Sequence, residues 1–153
     1  MEPAWTSDWV WGLPLIALTT MLHVLSLVGI TLLLVRFQVR LEKRPMGQTS
    51  LALYAAAIFG ALALALALLN GVEVGVWAAA YLLLAAIDTP ADAMLYSINA
   101  ITAYGSSGLD LAPHWKLMGA LEATNGLLLF GISTAFLAAV ITETWTAFRK
   151  IGG

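Results

Sequence analysis

From Trp9 to Val35 the chain runs for more than two dozen residues with only Ser, Thr and His23 breaking an otherwise apolar stretch. A backbone of that kind can satisfy its own N–H and C=O groups only as a helix when no water reaches it, and roughly 20 apolar residues cross a bilayer. Two further apolar runs follow, from Ser50 to about Asn70 and from about Trp115 to Thr142. The whole chain is 61% hydrophobic and 10% charged, against about 25% charged for a soluble domain. It cannot cover a soluble surface, so it reads as an integral membrane protein. The expected fold is all-α in a single domain, 1–153. It has three full transmembrane helices (about 9–36, 50–70 and 115–142), a short apolar outer helix (72–87) and a re-entrant segment (89–113).

The 153 residues contain no cysteine, which excludes disulfides, thiolate metal sites and cysteine nucleophiles. Two histidines, His23 and His114, are too few for a histidine-based metal centre within one chain, so no metal and no cofactor is expected. A net charge of −2 leaves no basic face for nucleic acid. No nucleophile–base constellation and no phosphate-binding glycine loop with its lysine is present, so an enzyme is not expected. The N-terminal MEPAWTSDW lacks a positive n-region and does not read as a cleaved signal. Trp5, Trp9 and Trp11 suit a membrane interface.

Charge placement sets the expected topology. Arg36, Arg40, Lys43 and Arg44 face only Glu42 in the first loop, and Arg149 and Lys150 follow the last span. By the positive-inside rule both lie in the cytoplasm, with the N-terminus outside. Between Arg44 and Lys116 there is no Lys or Arg, and Glu73, Asp88, Asp92 and Asp110 all fall in that gap. Two spans connect the basic segments with the right parity, so 71–114 has to leave and return on the outer side. Residues 72–87 would reach only about 24 Å as a helix, short of a hydrocarbon core of about 30 Å. In the competing reading they form a fourth span and put Arg149 and Lys150 outside. The alternating ALALALALL run within 50–70 would suggest a strand in a soluble protein, but a lone strand in lipid leaves its backbone unpaired. Multi-pass insertion in a bacterial cytoplasmic membrane is the expected location, with lipid as a partner.

Thr89-Pro90-Ala91-Asp92 opens a short helix running to about Ile101. Thr89 stands at the N-cap, proline at the first helical position, and Asp92 at N3 as in a capping box. The helix ends in Thr102, Ala103, Tyr104, Gly105, Ser106, Ser107 and Gly108, followed by Asp110. If it points into the membrane, its C-terminal partial charge favours a cation there, and the glycines allow carbonyls to turn towards an axis. An ordinary polar loop between two helices fits the same residues. Three intramembrane polar residues complete the candidates. His23 can bond a neighbouring helix, relay a proton or ligate a pigment. Glu122 and Asn125 share a helix face, and Glu122 can line a vestibule or anchor the loop. Gly119, Gly126 and Gly131 allow close helix contact or a bend.

Asp92-Ala93-Met94-Leu95-Tyr96-Ser97 with Ile101-Thr102 and a glycine-containing turn resembles the pore helix and filter of potassium channels of the pore-loop superfamily. Leu121-Glu122-Ala123-Thr124-Asn125-Gly126 and the following Leu127–Gly131 resemble the pore-lining helix of its small bacterial members. The resemblance covers about 73–140 and implies a homotetramer passing monovalent cations. The family's Gly-Tyr-Gly-Asp is absent. Gly105, Gly108 and Asp110 match it only across two extra residues, Ser106 stands in place of the tyrosine, and Ala103 replaces a threonine. Rings of carbonyls replace the hydration shell in such filters, so the altered spacing implies weak selectivity. A non-conducting accessory subunit, bound to other subunits of a respiratory or photosynthetic complex, is the alternative.

Overall fold

The computed structural model describes residues 6–41, 47–105 and 108–151. Among them there are four α-helices and no strand. α1 spans Thr6–Leu41, α2 Gln48–Leu83, α3 Pro90–Ile101 and α4 Lys116–Ile151, with a 3-10 turn at Pro113–Trp115 leading into α4. α1, α2 and α4 are each 36 residues long, or about 54 Å. Among the described residues three segments, Thr6–Arg36, Thr49–Leu83 and Pro113–Thr146, are long and apolar enough to cross a membrane. The chain is therefore a multi-pass membrane protein of helical class.

The contacts fix the directions of the helices. Going up α4, Met118 meets Asp8, Asn125 meets Thr19, and Ser133 meets His23, so α1 runs parallel to α4. α2 runs the other way, since Tyr81 meets Glu122 while Glu73 meets His23. α3 runs alongside α4 with rising number. The Tyr96 hydroxyl lies against Gly119, Ser97 bonds Glu122, and the Ile101 carbonyl lies against Gly126. A Cβ at Gly119 or Gly126 would collide with those atoms, so both glycines are there for close helix contact. The buried apolar core gathers where α3 fits between α2 and α4, around Trp77, Tyr81, Ala93, Trp115, Met118 and Leu121.

The expected outer helix at 72–87 is not a separate element. Asn70 and Gly71 do not end the second span, and α2 continues through them to Leu83. A mid-helix glycine costs about 1 kcal/mol, and continuity offsets it by placing Glu73, Trp77 and Tyr81 on one inward face at intervals of four, all three fully buried. Glu73, expected among the outer acids, is thus inside the bundle. Pro14 is the ninth residue of α1.

α2 and α3 end in the same way. After α2 the Ala86 N–H donates to the Tyr81 carbonyl and the Ala85 N–H to that of Leu82. After α3 the Tyr104 N–H donates to Asn99 and the Ala103 N–H to Ala100. These are Schellman closures, whose turning residue is usually glycine. Here it is alanine, with φ +50° at Ala85 and +53° at Ala103, a conformation costing an L-residue roughly 1–2 kcal/mol. Ala85→Gly is therefore expected to raise the unfolding free energy in detergent by about 1 kcal/mol. No gain, or a loss, would show that Ala85 does not turn left-handed.

Candidate functional site

α3 starts as its residues require. Thr89 caps it by accepting from the Asp92 N–H at 3.1 Å, and Pro90 opens the first turn. The Asp92 carboxylate does not reach back to a backbone N–H. It accepts from the Thr89 hydroxyl at 2.8 Å, so Thr89 and Asp92 bond each other twice.

α3 is held at its middle by a buried polar cluster. Ser97 sits between the Val74 carbonyl of α2, at 3.0 Å, and Oε1 of Glu122. The Tyr81 hydroxyl donates to Glu122 Oε2 at 2.5 Å. Ser97, Tyr81 and Glu122 are all fully buried, so α2, α3 and α4 meet at one carboxyl group. The serine has one proton for two acceptors. If it donates to Val74, the carboxyl group must itself supply the proton on the Glu122–Ser97 contact. Tyr96 packs edge-on against Tyr81, ring centres 5.3 Å apart. Burial, and after it the carboxyls of Glu122 and Asp110, push the Tyr96 phenol above its ordinary pKa, so it is neutral at physiological pH.

Asn125 lies on the same face of α4 as Glu122 but serves α1. Its amide donates to the Thr19 hydroxyl at 2.6 Å, and its carbonyl oxygen accepts from Thr20 at 3.3 Å. The Thr19 hydroxyl also donates to the Leu15 carbonyl, 2.8 Å away. At the same end of the bundle Asp8 accepts from the Met118 N–H at 3.1 Å, capping α4 from a neighbouring helix, where an acid also suits the helix dipole. His23 Nδ1 lies 2.7 Å from Glu73 Oε1, and its Nε2 lies 3.0 Å from the Ser133 hydroxyl.

The loop residues are less closely held. Thr102 caps α3, its hydroxyl donating back to the Ile98 carbonyl at 2.7 Å. Tyr104 is 83% exposed. Gly105 and Gly108 have φ +99° and +83°, which favours glycine at both places. Ser106 and Ser107 lie outside the described residues. Asp110 is exposed and borders a cleft of about 280 Å³ with Tyr96, Asn99, Gly105 and Gly119. The chain returns to the level of α2's end, where the Ala112 N–H donates to the Ala86 carbonyl at 3.2 Å.

Glu122, Asn125 and His23 therefore occupy three successive levels of one polar seam. Its other members, Glu73, Tyr81, Ser97, Thr19 and Ser133, were not among the sequence candidates. Spacing could have flagged Glu73, Trp77 and Tyr81 as one helical face, but only with α2 read through Asn70-Gly71. Among the described residues no group of three His, Asp or Glu side chains could hold a metal ion. No family model, curated protein or solved structure matches the chain.

The cluster predicts an ordering of variants. Glu122→Gln keeps a donor for Ser97 and an acceptor for Tyr81 and is expected to cost under about 1 kcal/mol. Glu122→Ala leaves two buried hydroxyls without that partner and is expected to cost about 3 kcal/mol. Unfolding of both variants in detergent checks this, and equal losses would refute it.

Proposed function

We propose that the protein is an ion-channel-like membrane protein. In this reading 89–113 forms a re-entrant pore loop, and the chain passes monovalent cations with weak selectivity as a homotetramer in a bacterial cytoplasmic membrane, N-terminus outside. The observation that carries the reading is the seating of α3. Its 12 residues reach only about 18 Å, too little to cross a bilayer. They run alongside α4 from Gly119 to Gly126, are held at mid-length by Ser97 and Glu122, and the chain then returns to Ala86 at the end of α2, as a re-entrant segment would. An inward-pointing helix C-terminus carries partial negative charge, which favours a cation near Thr102. Thr102–Gly105 are exposed in a single chain, as a segment facing a shared axis would be.

One observation favours a second reading, a non-conducting accessory subunit of a larger membrane complex. The last carbonyls of α3 are engaged by their own turn. Those of Ile98, Asn99 and Ala100 accept from the N–H groups of Thr102, Tyr104 and Ala103, which leaves fewer oxygens for a filter.

Purified protein reconstituted in vesicles distinguishes the two. The channel reading expects a homotetramer that passes monovalent cations, with flux falling several-fold in Asp110→Asn. Absence of flux, together with fixed-ratio copurification with other membrane subunits, would overturn it in favour of the accessory reading.

A further inference from the structure

The polar group farthest along the seam from α3 has no part in seating the loop. His23 of α1, Glu73 of α2 and Ser133 of α4 meet where three spanning helices converge. His23 and Glu73 are fully buried and Ser133 is 7% exposed. Nδ1 of His23 lies 2.7 Å from Glu73 Oε1 and Nε2 lies 3.0 Å from Ser133. The second carboxylate oxygen, Oε2 of Glu73, is buried with no hydrogen-bond partner. A buried carboxylate with one oxygen unpaired is costly unless the charge is neutralised.

We infer that His23 and Glu73 form a proton-binding site inside the bundle and that its occupancy sets how firmly α1 is held. One proton between Oε1 and Nδ1 makes the pair neutral overall. It is either carboxylate with imidazolium or carboxylic acid with neutral imidazole, and in both forms Nε2–H donates to Ser133. A second proton gives carboxylic acid with imidazolium, a net charge of +1. Loss of the resident proton gives carboxylate with neutral imidazole, a net charge of −1. Either net charge sits in a low dielectric without compensation.

Nothing close by supplies that compensation. Among residues with described side chains, the other ionisable groups on these helices are Asp8 and Arg36 on α1, Tyr54 and Tyr81 on α2, and Lys116, Glu122 and Glu143 on α4. Each is at least eight residues, or about 12 Å, along its helix from the site. α3 approaches through Ser97, on the Val74 carbonyl next to Glu73, and its ionisable groups are Asp92 and Tyr96. Other polar ties between α1 and α4, Asp8 with Met118 and Asn125 with Thr19 and Thr20, lie at or towards the α3 end. Further along, His23 ties α1 to both α2 and α4.

The two partners should fail at opposite ends of the pH scale. In His23→Gln the neutral Glu73 has no further proton to take, so acid sensitivity disappears. In Glu73→Gln no carboxylate can form, so alkaline sensitivity disappears. The chain has no native cysteine, so spin labels can be placed at Leu25→Cys and Leu128→Cys, which are 61% and 48% exposed. Labelled protein is diluted into unlabelled protein in phosphatidylcholine vesicles, and the α1–α4 distance is read against pH. The wild-type distance is expected to be narrow near neutrality and to broaden in acid and in alkali. His23→Gln should abolish the acid broadening alone and Glu73→Gln the alkaline broadening alone. Three results would overturn the proposal: no broadening in wild type, both limbs kept in both variants, or limbs removed instead by Asp8→Asn or Glu122→Gln. Should a variant not fold, nitrogen NMR of the His23 ring in the wild type decides, with His114→Asn for assignment. A proton bonded across the Nδ1–Glu73 contact is expected in the ring's nitrogen spectrum at neutral pH, and an Nδ1 with no such bond would overturn the site.

Discussion

A carboxyl group buried among apolar helices must find partners, and Glu122 finds them on two other elements. Tyr81 comes from α2 and Ser97 from α3, so the demand of one side chain fixes three helices at one level. α3 is too small to bury much surface alone. Its level along α4 follows from this bond and from the two glycines on α4 that let its side chain and backbone come close. The core around Trp77, Tyr81 and Met118 closes over an arrangement that hydrogen bonding has already specified.

The same logic extends along α4. Between lipid-facing helices apolar burial supplies little preference for one register over another, since lipid tails are as apolar as leucine. Polar contacts have to supply it. Met118, Glu122, Asn125 and Ser133 each take a partner from a different level of α1, α2 or α3. Many of the remaining serines and threonines bond their own preceding turn, as Ser26 does to Leu22 and Thr134 to Phe130, and contribute nothing between helices. The seam therefore uses a minority of the chain's polar side chains, those whose partners lie across a helix interface.

The two halves of the seam differ in consequence. Around Glu122 the acid is matched by two hydroxyls and holds a short helix still, which suits a scaffold for a loop. Around His23 two groups share a proton and one oxygen is left over, which suits a site that responds to its surroundings. The turn at Ala103 adds a point of backbone strain where the loop leaves α3, next to the residues that a pore reading would ask to face an axis.

The sequence by itself determined the membrane class, the three apolar spans and the capped start of α3, because each depends on local composition or on contacts within four residues. It also marked Glu122, Asn125 and His23, since polar side chains in apolar runs stand out by contrast. It did not reveal that α2 runs on through Asn70-Gly71. Those residues favour a stop locally, and only the packing of Trp77 and Tyr81 against other helices, with the bond from Glu73 to His23, makes continuation better. Nor could it identify Glu73 and Ser133 as the partners of His23, or Ser97 and Tyr81 as those of Glu122. Those pairs are 25 to 110 residues apart, and pairing at that range is decided by which helix faces meet, which only the tertiary structure settles.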